Sequence, residues 1–307
     1  MSFLIDDALM RRLAQVNCFP VADEGMVFFG LRGALPVDTD DCRFDAAHAL
    51  NVETTDYRHP RCTVGQWIPA DGLLAVFAGS TVPHLRHIRD AVARGGVGVN
   101  QLLTGYYADY RKGIHKQGSV TGHQAFLQKD GRPIRRSGDD ADFEADDRVE
   151  VMNPFDNLHA AWCPGVGHGD YASMGCQVVV GFPQCEKLGN RPDIGPWGVF
   201  KRRAYEFEQQ SFGYMLLEGR SAQSLAESAD ADRPRRLRFG SQGEPVEQLQ
   251  RRLGEHGFYE GKVDGDFGPR TIRAVLAFQQ ARFGFNSEDG VVGPQTAEAL
   301  EFDIGRA

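Results

Sequence analysis

A cysteine and a histidine in the middle of the chain have the residue types and the spacing of a catalytic pair. His159 lies in the run NLHAAW, and Cys176 follows seventeen positions later, in SMGC, directly before the apolar run QVVVGF. Two neighbouring strands can bring these side chains together. A thiolate is a nucleophile, and histidine is its natural base because the imidazole pKa lies near neutral pH. The alternative is structural: free cysteines are commonly buried, and histidines near strand ends are commonly hydrogen-bonded core residues.

Residues next to this pair extend the hypothesis. Gly175 leaves room for backbone N–H groups, that of Cys176 included, to approach a substrate carbonyl as an oxyanion hole. Ser173 can orient the histidine or the substrate carbonyl. For contact with a substrate we select four further residues, which are His168 in a glycine-rich loop, Gln177, His123 and Tyr107. The aromatic residues around Tyr107 can instead belong to the core.

Carboxylates offer a different chemistry. The acidic run SGDDADFEADD contains Asp140, Asp142 and Glu144, two of which can serve as the acid and base of a glycoside hydrolase. The alternative for this run is a solvated acidic loop. A zinc site made of His168, Asp170 and the catalytic pair lacks a helical ligand pair such as HExxH. We therefore predict no metal, and no cofactor, because no glycine-rich phosphate-binding loop follows a strand.

Composition narrows the classes of function. The 307 residues carry a formal net charge of −8 and a pI near 5.6, which gives no basic surplus for binding nucleic acid. No apolar run approaches the roughly 18 residues of a membrane span, and the start MSFLIDD has acids where a secretory signal has cations. We expect synthesis in the cytoplasm without a recognisable signal peptide, so that action outside requires another export route.

The six cysteines are too scattered for a small disulfide framework or a paired zinc motif. We expect most of them to be reduced and buried. Cys163 and Cys185 flank Cys176 and can pair if the protein reaches an oxidising compartment.

The first two thirds of the chain mix strand and helix patterns. Short apolar or alternating runs predict strands in GMVFFGLRGAL, GQWIPADGLLAVFAGS, GHQAFLQKDGRPIRR, DRVEVMNPFDNLHAAW and CQVVVGF. Helical spacing occurs in DDALMRRLAQV, VPHLRHIRDAVARG and WGVFKRRAYEFEQQSFGYMLL. We predict an α+β domain over residues 1–217 with a mainly antiparallel sheet. A stretch rich in Ser, Ala, Asp and Arg then predicts a solvated linker over residues 218–236.

An internal repeat marks the C-terminus. DGDFGPRTIRAV, beginning at Asp264, returns as DGVVGPQTAEAL, beginning at Asp289. In each copy Asp-Gly predicts a tight turn and Gly-Pro the start of a helix. A third amphipathic helix precedes them in EPVEQLQRRLGEHGFYEGKV. The pattern predicts a three-helix domain over residues 237–307.

This C-terminal pattern resembles the peptidoglycan-binding domain type 1 family over nearly its whole length. The resemblance rests on apolar, turn and helix-start positions of both copies, among them Leu249, Leu253, Phe267, Thr271 and Thr296. It implies that this domain anchors the rest of the chain to cell-wall peptidoglycan. A domain held at a polymer acts at a raised effective concentration, so the N-terminal domain should act on the same material.

The segment from Asn157 to Gly181 resembles the active-site signature of the L,D-transpeptidase family, also called the YkuD fold. The matching positions are His159, Ser173, Gly175 and Cys176, in a histidine followed by Ser-x-Gly-Cys at the start of a strand. The resemblance implies a cysteine that attacks a peptidoglycan stem peptide and releases its terminal D-alanine, with the histidine as base. The family carries an arginine two positions after the cysteine, where this chain has Val178 after Gln177.

Together these patterns predict a peptidoglycan hydrolase or transpeptidase that acts in the periplasm or at the cell wall. Its mechanism is a Cys176 and His159 acyl-enzyme, of L,D-carboxypeptidase or transpeptidase type. The alternatives are a muramidase of endolysin type that uses the acidic run, and a wall-binding protein without chemistry. Peptidoglycan is the expected partner, and an immunity or inhibitor protein is a candidate second partner if the chain is a secreted effector.

Overall fold

A computed structural model describes residues 2–137, 140, 143, 147–228, 233–285 and 287–307. Its strands are β1 (Ser2–Asp6), β2 (Val27–Arg32), β3 (Ala34–Pro36), β4 (Ala47–Val52), β5 (Cys62–Ile68), β6 (Leu73–Ser80), β7 (Val99–Leu102), β8 (Gly105–His115), β9 (His123–Leu127), β10 (Arg132–Ser137), β11 (Arg148–Met152), β12 (Leu158–Ala160), β13 (Gln177–Val179) and β14 (Ser211–Glu218). Its α-helices are α1 (Asp7–Val16), α2 (Leu85–Arg94), α3 (Pro196–Glu206), α4 (Gly219–Ala226), α5 (Glu244–Glu255), α6 (Pro269–Phe283) and α7 (Pro294–Ala299).

Eight of the strands close into a barrel in the order β12, β13, β6, β5, β2, β14, β8 and β9. Two neighbouring pairs, β12 with β13 and β2 with β14, are parallel, and the other six pairs are antiparallel. Two three-stranded sheets, β1–β4–β3 and β11–β10–β7, accompany the barrel. The predicted α+β class with mainly antiparallel pairing is confirmed, and closure into a barrel is an addition to that prediction.

Aromatic side chains fill the barrel core. Phe28 stacks on Phe212 with ring centroids 4.4 Å apart, and it contacts Phe126 and Phe200 at 4.9 Å each. All four rings are fully buried. Rings in such offset and edge-on contacts contribute about 0.5–1.5 kcal/mol per pair beyond the burial of their area. This core fixes the strands that carry the candidate site.

The predicted helix over residues 197–217 is wrong in its second half. Helix α3 ends at Glu206, and the following residues form β14 between β2 and β8. Phe212, Tyr214 and Leu216 all join the main core. Positions that alternate in this way share one face of a strand, and the aromatic residues among them favour strand structure.

The C-terminal segment forms the three predicted helices, which are α5, α6 and α7. Each Asp-Gly turn of the repeat is held by a buried glutamine. The Gln250 Oε1 accepts the N–H of Gly265 at 3.0 Å, and its Nε2 donates to the preceding aspartate at 2.8 Å. Gln279 makes the same two contacts at Gly290, at 3.0 and 2.8 Å. Both glycines have φ near 70°, a left-handed conformation that explains why the repeat requires glycine there.

The segment predicted as a solvated linker contains helix α4, which the sequence analysis missed. Ala222 and Leu225 of α4 pack into a core cluster with residues of α1. Farther on, the Arg236 N–H donates to Val16 O at 2.9 Å, and the Gln242 N–H donates to Cys18 O at 2.8 Å. The two buried apolar side chains, three positions apart, form a narrow stripe that the Ser- and Ala-rich composition concealed.

The helical module lies directly against the barrel. The Phe239 ring stacks on Tyr107 with centroids 5.4 Å apart, and the Phe239 carbonyl accepts the N–H of Tyr106 at 2.9 Å. Leu237 and Phe239 belong to one continuous apolar cluster that contains both barrel and module side chains.

Candidate functional site

The parallel pairing of β12 with β13 places His159 and Cys176 on one face of the sheet. His159 pairs with Val178, and Cys176 lies two positions before Val178, so the three side chains point to the same side. Leu158 and Ala160 point the other way, into the main core. The candidate pair therefore lies on the outer face of the barrel wall.

A cavity of about 460 Å³ opens at this face, and we call it the histidine cavity. Its lining includes His115, His123, His159, Trp162, His168, Ser173, Cys176, Lys116 and Lys187. It is large enough for a short peptide segment or a small ligand. Five of the lining residues come from the sequence prediction, namely His123, His159, His168, Ser173 and Cys176.

Three imidazole rings from neighbouring strands form one wall of the histidine cavity. The rings of His115 and His159 stack with centroids 4.2 Å apart, and the ring of His123 lies 5.5 Å from each of them. His115 and His123 come together because they are paired residues of β8 and β9. The spacing of the three residues in the sequence gives no sign of this cluster.

Hydrogen bonds fix the proton position on these rings. The His159 Nδ1 lies 2.8 Å from Ala160 O, and the His123 Nδ1 lies 2.8 Å from Thr121 O. A carbonyl oxygen can only accept, so both Nδ1 atoms carry a proton, and in the neutral ring Nε2 holds the lone pair. The Nε2 of His159 is thereby in the form that a general base requires.

His115 has the opposite tautomer. Its Nδ1 lies 2.9 Å from the Asn157 Nδ2, which donates, while the Asn157 Oδ1 accepts the Gln128 N–H at 3.0 Å. Neutral His115 therefore carries its proton on Nε2. Asn157 is a further functional residue that the sequence analysis did not select. Its position two residues before His159 places both side chains on one face of a strand, which is the signal that indicates it.

Burial keeps both members of the candidate pair neutral. His159 is only 3% exposed, and burial followed by repulsion from His115 and His123 lowers its pKa well below the ordinary value. Cys176 is 9% exposed, and burial followed by the charge of Asp156 raises the pKa of its thiol. No hydrogen bond joins these two described residues. The Cys176 thiol instead donates to Phe155 O, with an Sγ to O distance of 3.8 Å. The resting pair is thus a thiol and a neutral imidazole.

Backbone N–H groups surround the sulfur. The N–H groups of Asn157 and of Cys176 itself both act to lower the thiol pKa, against the larger effect of burial. Such groups stabilise negative charge on sulfur or on an oxygen bound next to it. Ser173 has another task than the one predicted: its Oγ donates to Cys176 O at 2.8 Å and accepts the N–H of Gly175 at 3.2 Å. It fixes the turn that presents the cysteine.

The buried carboxyl group of Asp156 packs against the turn at Gly175. The Asp156 Oδ1 accepts a hydrogen bond from the Asn100 Nδ2 at 2.6 Å. Burial raises the pKa of Asp156 to about 8, which the Asn100 bond only partly offsets. Gly175, with φ of 135°, passes so close to these side chains that a Cβ there would lie 2.5 Å from the Asn100 Nδ2. Gly175 is therefore needed for space as well as for backbone conformation.

Two residues predicted to contact substrate lie in the core instead. Gln177 is fully buried, and it bonds the Tyr214 hydroxyl at 2.9 Å and Gly175 O at 3.1 Å. Tyr107 is also fully buried, under the guanidinium of Arg132 at 5.1 Å, and its hydroxyl donates to Leu103 O. Both positions face into the barrel because side chains alternate along a strand.

The described members of the remaining predicted groups do not line the histidine cavity. Asp140 is exposed, and Asp142 and Glu144 lie outside the described residues. Cys163 and Cys185 are buried free thiols, with no disulfide between them. Among the described residues, no group of three or more His, Cys, Asp or Glu side chains is arranged to hold a metal ion.

One family and several individual proteins are similar to parts of this chain. Residues 242–300 match the family described as "Putative peptidoglycan binding domain", which confirms the predicted resemblance of this segment. The chain is 42% identical over 64 residues to the spore cortex-lytic enzyme of Bacillus subtilis, a match that covers 21% of each chain. It is 48% identical over 64 residues to the spore cortex-lytic enzyme of Bacillus cereus, covering 21% of this chain and 24% of that protein.

A third relative is the N-acetylmuramoyl-L-alanine amidase CwlM of Mycobacterium tuberculosis, 43% identical over 60 residues. That match covers 20% of this chain and 14% of the amidase. The chain thus spans a quarter or less of the length of each of these three relatives. No solved structure gave a significant match. The resemblance to the L,D-transpeptidase family gains no support from these comparisons and stays a prediction.

Helices of membrane-spanning length and apolarity are absent from the described part of the chain.

Proposed function

We propose that this protein is a peptidoglycan-active enzyme that acts on stem peptides through Cys176 and His159. The observation that carries the proposal is their shared position on the wall of the histidine cavity, with the Nε2 of His159 available as a base. A nucleophile and a base with a fixed tautomer that face one cavity are the components of covalent catalysis. The names of the relatives, spore cortex-lytic enzyme and N-acetylmuramoyl-L-alanine amidase, support cell-wall hydrolysis as the class of activity.

The neutral resting pair favours proton transfer during attack. In this mechanism the His159 Nε2 takes the thiol proton as the Cys176 sulfur bonds to the carbonyl carbon of the substrate. The N–H of Cys176 stabilises the oxyanion that forms. When the C–N bond breaks, His159 returns the proton to the departing amine, which leaves a thioester on Cys176. Water or a second amine then attacks this thioester, giving hydrolysis or transpeptidation.

Two lysines at the histidine cavity supply a site for the substrate carboxylate. Lys116 and Lys187 line the cavity, and the Lys187 Nζ lies 5.8 Å from the centre of the Trp162 ring. The cavity also holds Arg86 and Asp170, but these two neutralise each other in an ion pair of 2.8 Å. The lysines thus leave a net positive charge where a stem peptide would end. They take the place of the arginine that this chain lacks after its cysteine.

The C-terminal module is the proposed wall anchor. Residues 242–300 match a peptidoglycan-binding family, and the module lies directly against the barrel domain. We infer a division into a catalytic domain over residues 1–217 and a binding domain over residues 237–307. The connecting segment carries helix α4, so the anchor holds the catalytic domain close to the wall instead of on a loose tether.

Mass spectrometry of defined muropeptides tests the proposal. The wild-type protein, Cys176→Ala and the control Cys42→Ala are incubated with tetrapeptide- and pentapeptide-bearing muropeptides. We expect loss of a terminal alanine or a new cross-link with wild type and the control, and neither with Cys176→Ala. Equal glycan fragments from all three proteins would instead indicate a muramidase. Retained binding to insoluble peptidoglycan without any product would indicate a wall-binding protein.

A further inference from the structure

A second cavity, of about 270 Å³, lies where the helical module joins the barrel domain, and we call it the junction cavity. Its walls come from α1, the end of β14, α4 and the segment 233–238. Four of its lining residues are arginines, which are Arg220, Arg233, Arg236 and Arg238. Its other side chains are apolar or neutral, and no carboxylate is among the described residues that line it.

Arg238 is the most deeply buried of these cations. It is 7% exposed, and its Nη1 donates to the Thr104 Oγ1 at 2.7 Å. Its Nε is buried and has no hydrogen-bond partner among the described residues. Burial, followed by repulsion from Arg236, lowers the pKa of Arg238 to about 10. The charges of Asp289 and Glu218 offset this effect only in part, and neither carboxylate forms an ion pair with Arg238 among the described residues. A buried guanidinium without a close anion is costly.

The other three arginines leave this positive charge unbalanced. Among the described residues, Arg233 donates to the Ser228 Oγ at 3.1 Å and to Ser224 O at 3.2 Å, both neutral acceptors. Within the described part of the chain, none of the four forms an ion pair with a carboxylate. Arg238 is buried, Arg233 is half-buried, and Arg220 and Arg236 are exposed. Like charges collected at one place repel each other and attract a counter-ion.

We propose that the junction cavity is a binding site for a phosphate group. Guanidinium groups present planar pairs of donors that match phosphate oxygens, and the hydroxyls of Ser221 and Ser224 add neutral donors on the same wall. A tetrahedral anion in this cavity would accept hydrogen bonds from several of these donors at once. Arg220 belongs to α4 and Arg236 to the segment that leads into the module, so the ligand joins the two parts. This site is separate from the histidine cavity and does not depend on the proposed enzymatic activity.

Phosphate should therefore stabilise the folded protein, since a ligand that binds only the folded state raises its stability. Thermal unfolding is followed during titration with inorganic phosphate and, separately, with glycerol phosphate, at constant ionic strength set with sodium chloride. Isothermal titration calorimetry gives the affinities directly. We expect saturable stabilisation of the wild type, and affinity at least tenfold weaker in Arg236→Gln and Arg220→Gln. Binding of both ligands indicates a site for a terminal phosphate, and binding of inorganic phosphate alone a site for the free ion.

Arg282→Gln is the matched control, because Arg282 is an exposed arginine of α6 that does not line the junction cavity. It should bind phosphate as the wild type does. Equal effects of phosphate and chloride, or unchanged affinity in Arg236→Gln and Arg220→Gln, would overturn the proposal. The chain also carries Asp230 and Asp232 just before Arg233. If phosphate binds only to a D230N/D232N variant, the protein's own carboxylates occupy the site, and the proposal is wrong.

Discussion

The imidazole rings of His115 and His159 lie face to face, with centroids 4.2 Å apart and an angle of 15° between their planes. One ring is positioned by Asn157, through its side-chain amide, and the other by the carbonyl of Ala160. A proton on His159 is opposed by burial and by the charges of His115 and His123. Burial and the charge of His123 lower the pKa of His115 to about 4. The stack therefore holds His159 neutral, and able to accept a proton, into the acidic range.

Removal of the neighbouring ring should shift the titration of His159. In His115→Gln the repulsion between the two imidazoles is lost, so the pKa of His159 should rise. His159 in the variant is then protonated at a higher pH than in the wild type. The acid limb of the pH profile of kcat/KM moves to higher pH by the same amount. NMR titration of the His159 ring measures this shift independently of turnover. His256→Gln, in the helical module, should leave both profiles unchanged, and an unmoved His159 titration in His115→Gln would contradict the prediction.

Asp156 should control the reactivity of Cys176. Its pKa of about 8 means that the carboxyl group is neutral at lower pH and becomes charged above that value. The charge then raises the thiol pKa further. In Asp156→Asn this effect is absent, so alkylation of Cys176 by iodoacetamide should be about threefold to tenfold faster above pH 8 and little changed at pH 6. Peptide-resolved mass spectrometry measures the rates, with Cys42 as internal reference. Equal rates in both proteins at pH 9 would show that the carboxylate does not act on the thiol.

Gly175→Ala should be strongly destabilising. The new Cβ would lie 2.5 Å from the Asn100 Nδ2 and 2.6 Å from the Asp156 Oδ1, at a φ of 135° that other residues rarely adopt. We expect a loss of ~3 kcal/mol in the free energy of unfolding, measured by urea titration. Gly167→Ala is the control from the same region, because a Cβ there meets no atom within 4 Å. Its stability should stay within about 0.5 kcal/mol of the wild type. A small effect of Gly175→Ala would mean that the turn can move away from Asn100.

Phe239 should couple the helical module to the barrel. Its ring is 6% exposed and stacks on Tyr107, so Phe239→Ala leaves a cavity between the two parts. We expect a cost of about 3–5 kcal/mol, with one calorimetric unfolding transition in the wild type and two in the variant. Phe285→Ala, at a position 83% exposed, should change stability by less than about 0.5 kcal/mol. Two transitions already present in the wild type would contradict the coupling.

Local sequence patterns predicted some elements correctly and others wrongly. The repeat predicted three helices because Asp-Gly turns and Gly-Pro helix starts are local signals, and the helices formed where predicted. The prediction of one helix from Trp197 to Leu217 was wrong in its second half, because aromatic residues fit a helix face and a strand face alike. Pairing with β2 and β8 makes this half a strand. Gln177 and Tyr107 were chosen by residue type, but the alternation of side chains along their strands buries both.

By itself the sequence determined the strand and helix segments with strong local patterns, the helical module, and the placement of His159 on a strand beside the one that begins after Cys176. These depend on residue type and short spacing. Only the tertiary structure decided the closure of the barrel, the stack of His115 on His159, and the four arginines around the junction cavity. Each of these brings together residues from distant parts of the chain, and such contacts depend on strand register and domain packing, which no local pattern encodes.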